Sequence, residues 1–340
     1  IVRQKDRLVA FPYSARDLKN SFIEEGELYL VGENAIGLPI AVDPIIMYWN
    51  RDMFTGAGIA APPVSWTELY VEPITTLTKR GVGQGSIAQS AFALGEFGNI
   101  THAKEILATL FFQTGNSIAE YRSLGGAAAS VQSTIGDTMG AAVSPVAQAL
   151  QFYTRFSDPA RAEYTWSRAL PESIDTFAQG ILGMYFGYAS ERELIARKNP
   201  HLNFDVALMP QAKTTASATG RVATFGRVYG VAALTAGKNQ SGALYAVSVL
   251  SDKKFSEALA KGLGIASARR DVLSVRSTDP YQDVYNRSAL ISRGWLDPDS
   301  AQTGQAFRAA VEDVTSGRRN PEDAVSVLNG RISDLLQKQK

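Results

Sequence analysis

Residues 37–58 read GLPIAVDPIIMYWNRDMFTGAG. A Gly37-Leu38-Pro39 turn opens the stretch, and Ile40-Ala41-Val42 continue it as an apolar run. Asp43-Pro44 interrupts that run. A second one, Ile45-Ile46-Met47-Tyr48-Trp49, follows. Each run is too short for a helix and rich in strand formers, so the pattern predicts two strands broken by a kink. Pro44 has no N–H to give a ladder, and it pushes Asp43 into an extended conformation. A carboxylate between two buried strands is costly unless it is paired or faces a wet cleft. A chain that leaves one sheet, kinks and enters another would give Asp43 such a cleft.

Working outward, the second run ends Tyr48-x-Asn50-Arg51-Asp52, and Phe54-x-x-Ala57-Gly58-Ile59 comes next. Pro62-Pro63-x-Ser65-Trp66-Thr67-Glu68-Leu69 then starts a helix, with capping-box spacing from Ser65 to Glu68. That helix is expected to reach Lys79, with a kink or break at Pro73. Together these segments resemble the first hinge crossing of extracellular solute-binding proteins, the sugar-type, maltose-binding-like receptors of ABC importers. The Pro-Pro-x-Ser-Trp-Thr-Glu-Leu run is similar to that family's Pro-Pro-x-Thr-Trp-Asp-Glu-Leu.

The chain has 340 residues, which favours about two domains, since a single core stops growing near ~250–300 residues. Its 34 basic and 33 acidic residues leave a net charge of +1, so no global field recruits nucleic acid or anionic lipid. Cysteine is absent, which removes disulfides, thiolate metal sites and a Cys nucleophile. No run approaches 18 apolar residues, the length a membrane span needs. Only 36 residues precede Gly37. One strand–helix unit needs ~30 residues, and the resemblance implies several such units before the crossing. It therefore implies an N-terminally truncated chain with an incomplete first lobe.

Before the crossing, residues 14–25 read as a short helix capped by Ser14, with Leu18 and Phe22 on one face and Gly26 ending it. Residues 27–31 read as a strand. After the helix start, Gly81-Val-Gly83-Gln-Gly85 is a turn: it follows a helix, and no Gly-Lys-Ser/Thr succeeds it. Residues 101–113 form a helix, and the run from Ala91 to His102 before it resembles the family's loop that opens on the ligand. Asn99 and Thr101 have two readings there, as plain helix caps or as caps that also touch ligand. His102, on the first turn, is a further candidate contact. Residues 116–143 read as a loop with a short hairpin near Gly136-Asp137, low in complexity over 125–130. Ser144-Pro145 opens a helix.

Tyr164-x-Trp166 and the strand ILGMYFGYA at 181–189 resemble the family's second lobe. The resemblance implies that Tyr185 stacks on a sugar ring and that Trp166 is a further ligand-binding residue. The competing reading puts Tyr185 and Phe186 in the core, and strand alternation allows at most one of them to face a cleft. A strand at 203–209 resembles the return crossing, with a polar stretch to Gly220, and Phe225-Gly-Arg227-Val-Tyr229 the strand after it. Arg227 and Tyr229 then lie near the hinge floor, unless Arg227 is only structural. Two helices follow at 239–250 and 252–261, the second capped by Ser251. A third crossing is expected near 274–279. Trp295 either reaches the cleft or is buried under a helix. Asn320-Pro321 starts the last helix.

No catalytic pattern emerges. His102 and His201 alone cannot form a usual zinc site, and neither HExxH nor GxSxG occurs. His201 reads as surface.

The expected fold is α/β: a two-lobed periplasmic-binding-protein type II fold with hinge crossovers. Lobe 1 takes residues 1–44 and 212–275, and lobe 2 takes 45–211 and 276–340. The resemblance implies a receptor, not an enzyme, and no cofactor. Its solute is a sugar or oligosaccharide, its partners are ABC permease subunits, and it works as a monomer. It implies a periplasmic or extracellular location, with a lipid anchor through the missing N-terminus. Asp43 would accept hydroxyl hydrogen bonds, Tyr185 would stack, and Asn99, Thr101 and His102 would add polar contacts. Two alternatives stand beside it: a glycoside-acting enzyme, with two carboxylates across a cleft, and a receptor fold serving as a sensor or adhesion module without transport.

Overall fold

A computed structural model describes residues 6–71, 73–83, 85–122, 130–212 and 221–338. The strands, in chain order, are β1 (Phe11–Ser14), β2 (Leu30–Val31), β3 (Asn34–Ala35), β4 (Leu38–Asn50), β5 (Lys79–Arg80), β6 (Ile87–Phe92), β7 (Ala119–Arg122), β8 (Ser130–Ser133), β9 (Leu182–Tyr188), β10 (Phe204–Ala207), β11 (Thr224–Val231), β12 (Ala266–Ser267) and β13 (Ser292–Arg293). The main sheet runs β13-β11-β4-β9-β6-β5, and β10 and β12 also pair with β4. β1, β3 and β2 form a small sheet, and β7 and β8 a hairpin.

β4 is the axis of this arrangement. The expected break at Asp43-Pro44 is absent, and the two predicted strands are one strand of 13 residues. What changes there is the partner. Residues 38–44 pair antiparallel with β11, and Ala41 and Val42 also meet β12. From Ile45 to Trp49 the partner is β9, and from Met47 to Asn50 it is also β10. Proline fits an extended chain where no ladder needs its N–H. The change of partners at Pro44 provides that place, so the residue that looked like a breaker marks where β4 exchanges β11 for β9 within one sheet.

The helices cover this sheet. They are α1 (Ala15–Ser21), α2 (Arg51–Gly56), α3 (Trp66–Val71), α4 (Pro73–Leu77), α5 (Ala103–Gln113), α6 (Pro145–Thr154), α7 (Ser173–Ala178), α8 (Arg192–Lys198), α9 (Gln240–Leu250), α10 (Lys253–Leu263), α11 (Arg270–Leu273), α12 (Pro280–Leu290), α13 (Ser300–Thr315) and α14 (Pro321–Gln337). Almost every residue of β4 is buried, so both of its faces are covered and its apolar run shows no alternation.

Capping was largely readable. Ser14, Ser144 and Asn320 accept backbone N–H groups at the starts of α1, α6 and α14, and the last two place proline in the first turn. The helix expected over 65–79 is divided, with α4 starting at Pro73. Asp252, not Ser251, caps α10. Residues 24–29 form a 3-10 turn where a strand was expected from residue 27, and Gly26 lies inside it. The hairpin falls at β7–β8, before Gly136. Residues 125–129 of the low-complexity run, and 213–220 of the polar stretch, lie outside the described residues.

One buried amide ties several of these elements together. Gln113, at the end of α5, accepts from Trp66 Nε1 at 2.6 Å and donates to the carbonyls of Pro210 and Ala223 at 3.0 and 2.8 Å. Its own carbonyl accepts from Arg221 N–H at 3.2 Å.

Candidate functional site

The site grows from the end of β9, beside the point where β4 changes partners. After Tyr188 the chain turns through a 3-10 segment, Ala189–Glu191, which folds Glu191 back over the strand. Glu191 Oε2 accepts from Tyr188 N–H at 3.0 Å and from Tyr185 O–H at 2.8 Å. Its Oε1 lies 2.7 Å from His102 Nε2. This return demands glycine at 187, where a Cβ would collide with Glu191 Oε2 and the Tyr185 ring. Tyr48 locks the corner from below, donating to the carbonyls of Tyr188 and Ala189 at 2.6 and 3.0 Å.

Asp43 belongs to the same cluster. Its two oxygens accept from Ser190 N–H at 3.1 Å and Ser190 O–H at 2.6 Å. Burial raises its pKa above the ordinary carboxylate value, against the pull of the Ser190 donors and of Arg227. Arg227 is its register partner on β11. Asp43 is thus sealed and paired with Ser190, where the sequence pointed to a wet cleft. Pairing was the other way to relieve a buried acid, and it is the one used.

Tyr188 is the centre. The His102 ring meets it edge-on at 4.6 Å, and the Arg227 guanidinium lies over it at 4.1 Å. His102 reaches this position from a left-handed backbone (φ 63°) at the start of α5. Arg227 comes from β11, the partner of the other half of β4. Burial pushes the Tyr188 phenol well above its usual range, so it stays a neutral donor. Tyr229, two residues beyond Arg227 and on the same face of the strand, is solvent-exposed.

The other predicted residues fall outside this cluster or beneath it. Tyr185 is fully buried, with its hydroxyl on Glu191, and Phe186 is buried as well, because the sheet is covered on both sides. The stacking platform implied for Tyr185 is therefore not its arrangement here. Trp166 is fully buried and donates to Asn99 Oδ1 at 3.0 Å. Asn99 Nδ2 donates to the carbonyls of Ser167 and Leu170, both at 2.9 Å, so this side chain staples a loop and does not cap α5. Thr101 is half-buried. Its hydroxyl donates to Glu172 Oε2 at 3.2 Å and its N–H to Ser173 Oγ at 3.0 Å. Trp295 is buried just before α13, near the Lys104–Asp297 ion pair of 2.8 Å that ties α5 to that helix. His201 is exposed, as expected.

The sequence reading missed Tyr188, Ser190 and Glu191. Glu191 carried one signal, its capping spacing from Tyr188, which points only to a helix start. Both acids of the cluster are engaged by hydrogen bonds. Among the described residues no three of His, Cys, Asp and Glu gather to hold a metal ion, and no helix is long and apolar enough to cross a membrane.

Residues 7–286 match the family profile of bacterial extracellular solute-binding proteins. The chain belongs to this family. Curated relatives of this solute-binding protein include putative binding proteins of two strains of Brucella abortus and one of Brucella suis. Each is 24% identical over 96% of the chain and 74% of the relative. Among solved structures, a cyclo/maltodextrin-binding protein complexed with maltotetraose superposes with a TM-score of 0.73 at 14% identity. That match covers all of this chain and 82% of the other. At that identity the likeness is one of fold, and it gives the two-lobed α/β architecture of periplasmic binding proteins. The names of these proteins describe binding, three of them as putative.

Proposed function

We propose that this solute-binding protein is the extracytoplasmic receptor of an ABC importer, which captures a sugar or oligosaccharide between its lobes by hinge closure. The lobes divide where β4 changes partners, so Pro44 closes the first and Ile45 opens the second. The observation that carries the reading is the Tyr188 ring, held between His102 of one half and Arg227 of the other at that crossing. An aromatic face suits the C–H face of a sugar, and the polar groups around it suit the hydroxyls. His102, Thr101, Arg227 and Tyr229 reach solvent and make the polar contacts. Arg227 moves off Tyr188 to admit the solute. Asp43, Asn99, Trp166, Tyr185 and Trp295 hold those groups in place from behind. Permease subunits then recognise the closed, monomeric form.

Titration with maltotetraose and other maltooligosaccharides, read by tryptophan fluorescence and melting temperature, tests this. A saturable fluorescence change with a rising melting temperature is expected, because a ligand of the native state stabilises it by mass action. Neither signal from any member of a broad sugar library would overturn it.

A further inference from the structure

A cleft of about 370 Å³ opens away from the Tyr188 cluster, none of whose residues lines it. Its volume falls within the ~300–1,000 Å³ usual for small-molecule sites. One wall is the 3-10 turn carrying Glu24 and Glu25, and another is the chain from the end of α5 through Ser117 to Tyr121 on β7. Arg293 of β13 joins them.

Two charged side chains of this cleft are incompletely paired. Glu25 is 2% exposed; its Oε1 accepts from Ser292 O–H, while its Oε2 is buried with no partner. Arg293 pairs with Glu24 at 2.8 Å and donates from Nη1 to the Ser292 carbonyl at 2.7 Å, yet its Nε is buried with no partner. Leaving such groups unpaired is unfavourable, and a native structure retains them where something else completes them. The two needs are opposite, since one atom accepts and the other donates. An ammonium would satisfy only Glu25, and an anion only Arg293. A hydroxyl donates and accepts at once. At the rim, the half-exposed Tyr121 ring offers a face for C–H groups.

We propose that this cleft is a second binding site, for a small neutral molecule rich in hydroxyls, of the polyol or monosaccharide class. Small rotations of the Glu25 and Arg293 side chains bring the buried Oε2 and Nε to a ligand hydroxyl in the cleft, and Tyr121 covers the carbon side. The site is independent of whatever occupies the Tyr188 cluster.

Saturation-transfer NMR on the full chain with sorbitol and glucose tests it, with hexane-1,6-diamine and acetate as charged controls. The expected result is transfer to sorbitol or glucose in the wild type and in Arg227→Ala. Tyr121→Ala and Glu25→Gln should each weaken it at least tenfold. Tyr121 is at the surface, so its variant keeps the test meaningful if Glu25→Gln fails to fold. Three results would overturn the proposal: no transfer to either neutral probe, transfer to the charged probes alone, or transfer lost in Arg227→Ala and kept in Tyr121→Ala.

Discussion

The Arg227 guanidinium lies 4.1 Å from the centre of the Tyr188 ring, and these two residues come from strands that pair with different halves of β4. A cation over a partly desolvated aromatic face is worth roughly 0.5–2 kcal/mol. Arg227→Ala is expected to lower unfolding stability by about 1 kcal/mol in urea titrations and to weaken solute binding at least tenfold. Arg227→Lys keeps the charge but loses the planar stack, and should fall between the two.

Glu191 gathers three partners: His102, Tyr185 and the Tyr188 N–H. Hydrogen bonds to charged groups are worth about 1.5–3 kcal/mol each, and orphaned partners add a penalty. Glu191→Ala should cost about 3 kcal/mol or more, and Tyr185→Phe about 1–2 kcal/mol. In a double-mutant cycle the two should be clearly non-additive. Additive losses in chemical denaturation would show that the cluster does not act as a unit.

Gly187→Ala tests the fold-back. The added methyl would meet both Glu191 Oε2 and the Tyr185 ring. Overpacking of this kind costs about 1–3 kcal/mol. The melting temperature should fall, and a Gly187→Ala/Glu191→Ala pair should lose less than the sum.

Burial pushes the Glu25 carboxyl up to about 7 from its ordinary value of 4.5. Between those values the folded chain holds a proton that the unfolded chain has released, so stability falls as pH rises through that window and levels off above it. Asp43, also raised by burial, acts in the same direction. Glu25→Gln should flatten the part of the decline between about pH 5 and 7, on the order of a few kcal/mol. Urea midpoints measured at several pH values check this.

β4 was legible as strand with a change at Pro44, because Pro44 and two β-branched runs are local signals. Its continuity was not, because whether proline breaks a strand depends on which neighbour needs its N–H, and neighbours are non-local. The same limit governs the site. His102 and Arg227 were picked out, and they do converge. Tyr188, the ring between them, carried no signal of its own, because it and Tyr185 are both buried and only the non-local partners His102 and Arg227 set it apart. Asn99 looked like a cap on α5; its loop-stapling role follows from the carbonyls of Ser167 and Leu170, about 70 residues away in the chain.

Gln113 grips the carbonyls of Pro210 and Ala223 with one amide, and Arg221 N–H is bonded to its backbone. The described chain on either side of residues 213–220 is therefore fastened to a single residue. Gln113 works as a common latch: remove its amide, and the two flanks come loose together rather than one after the other.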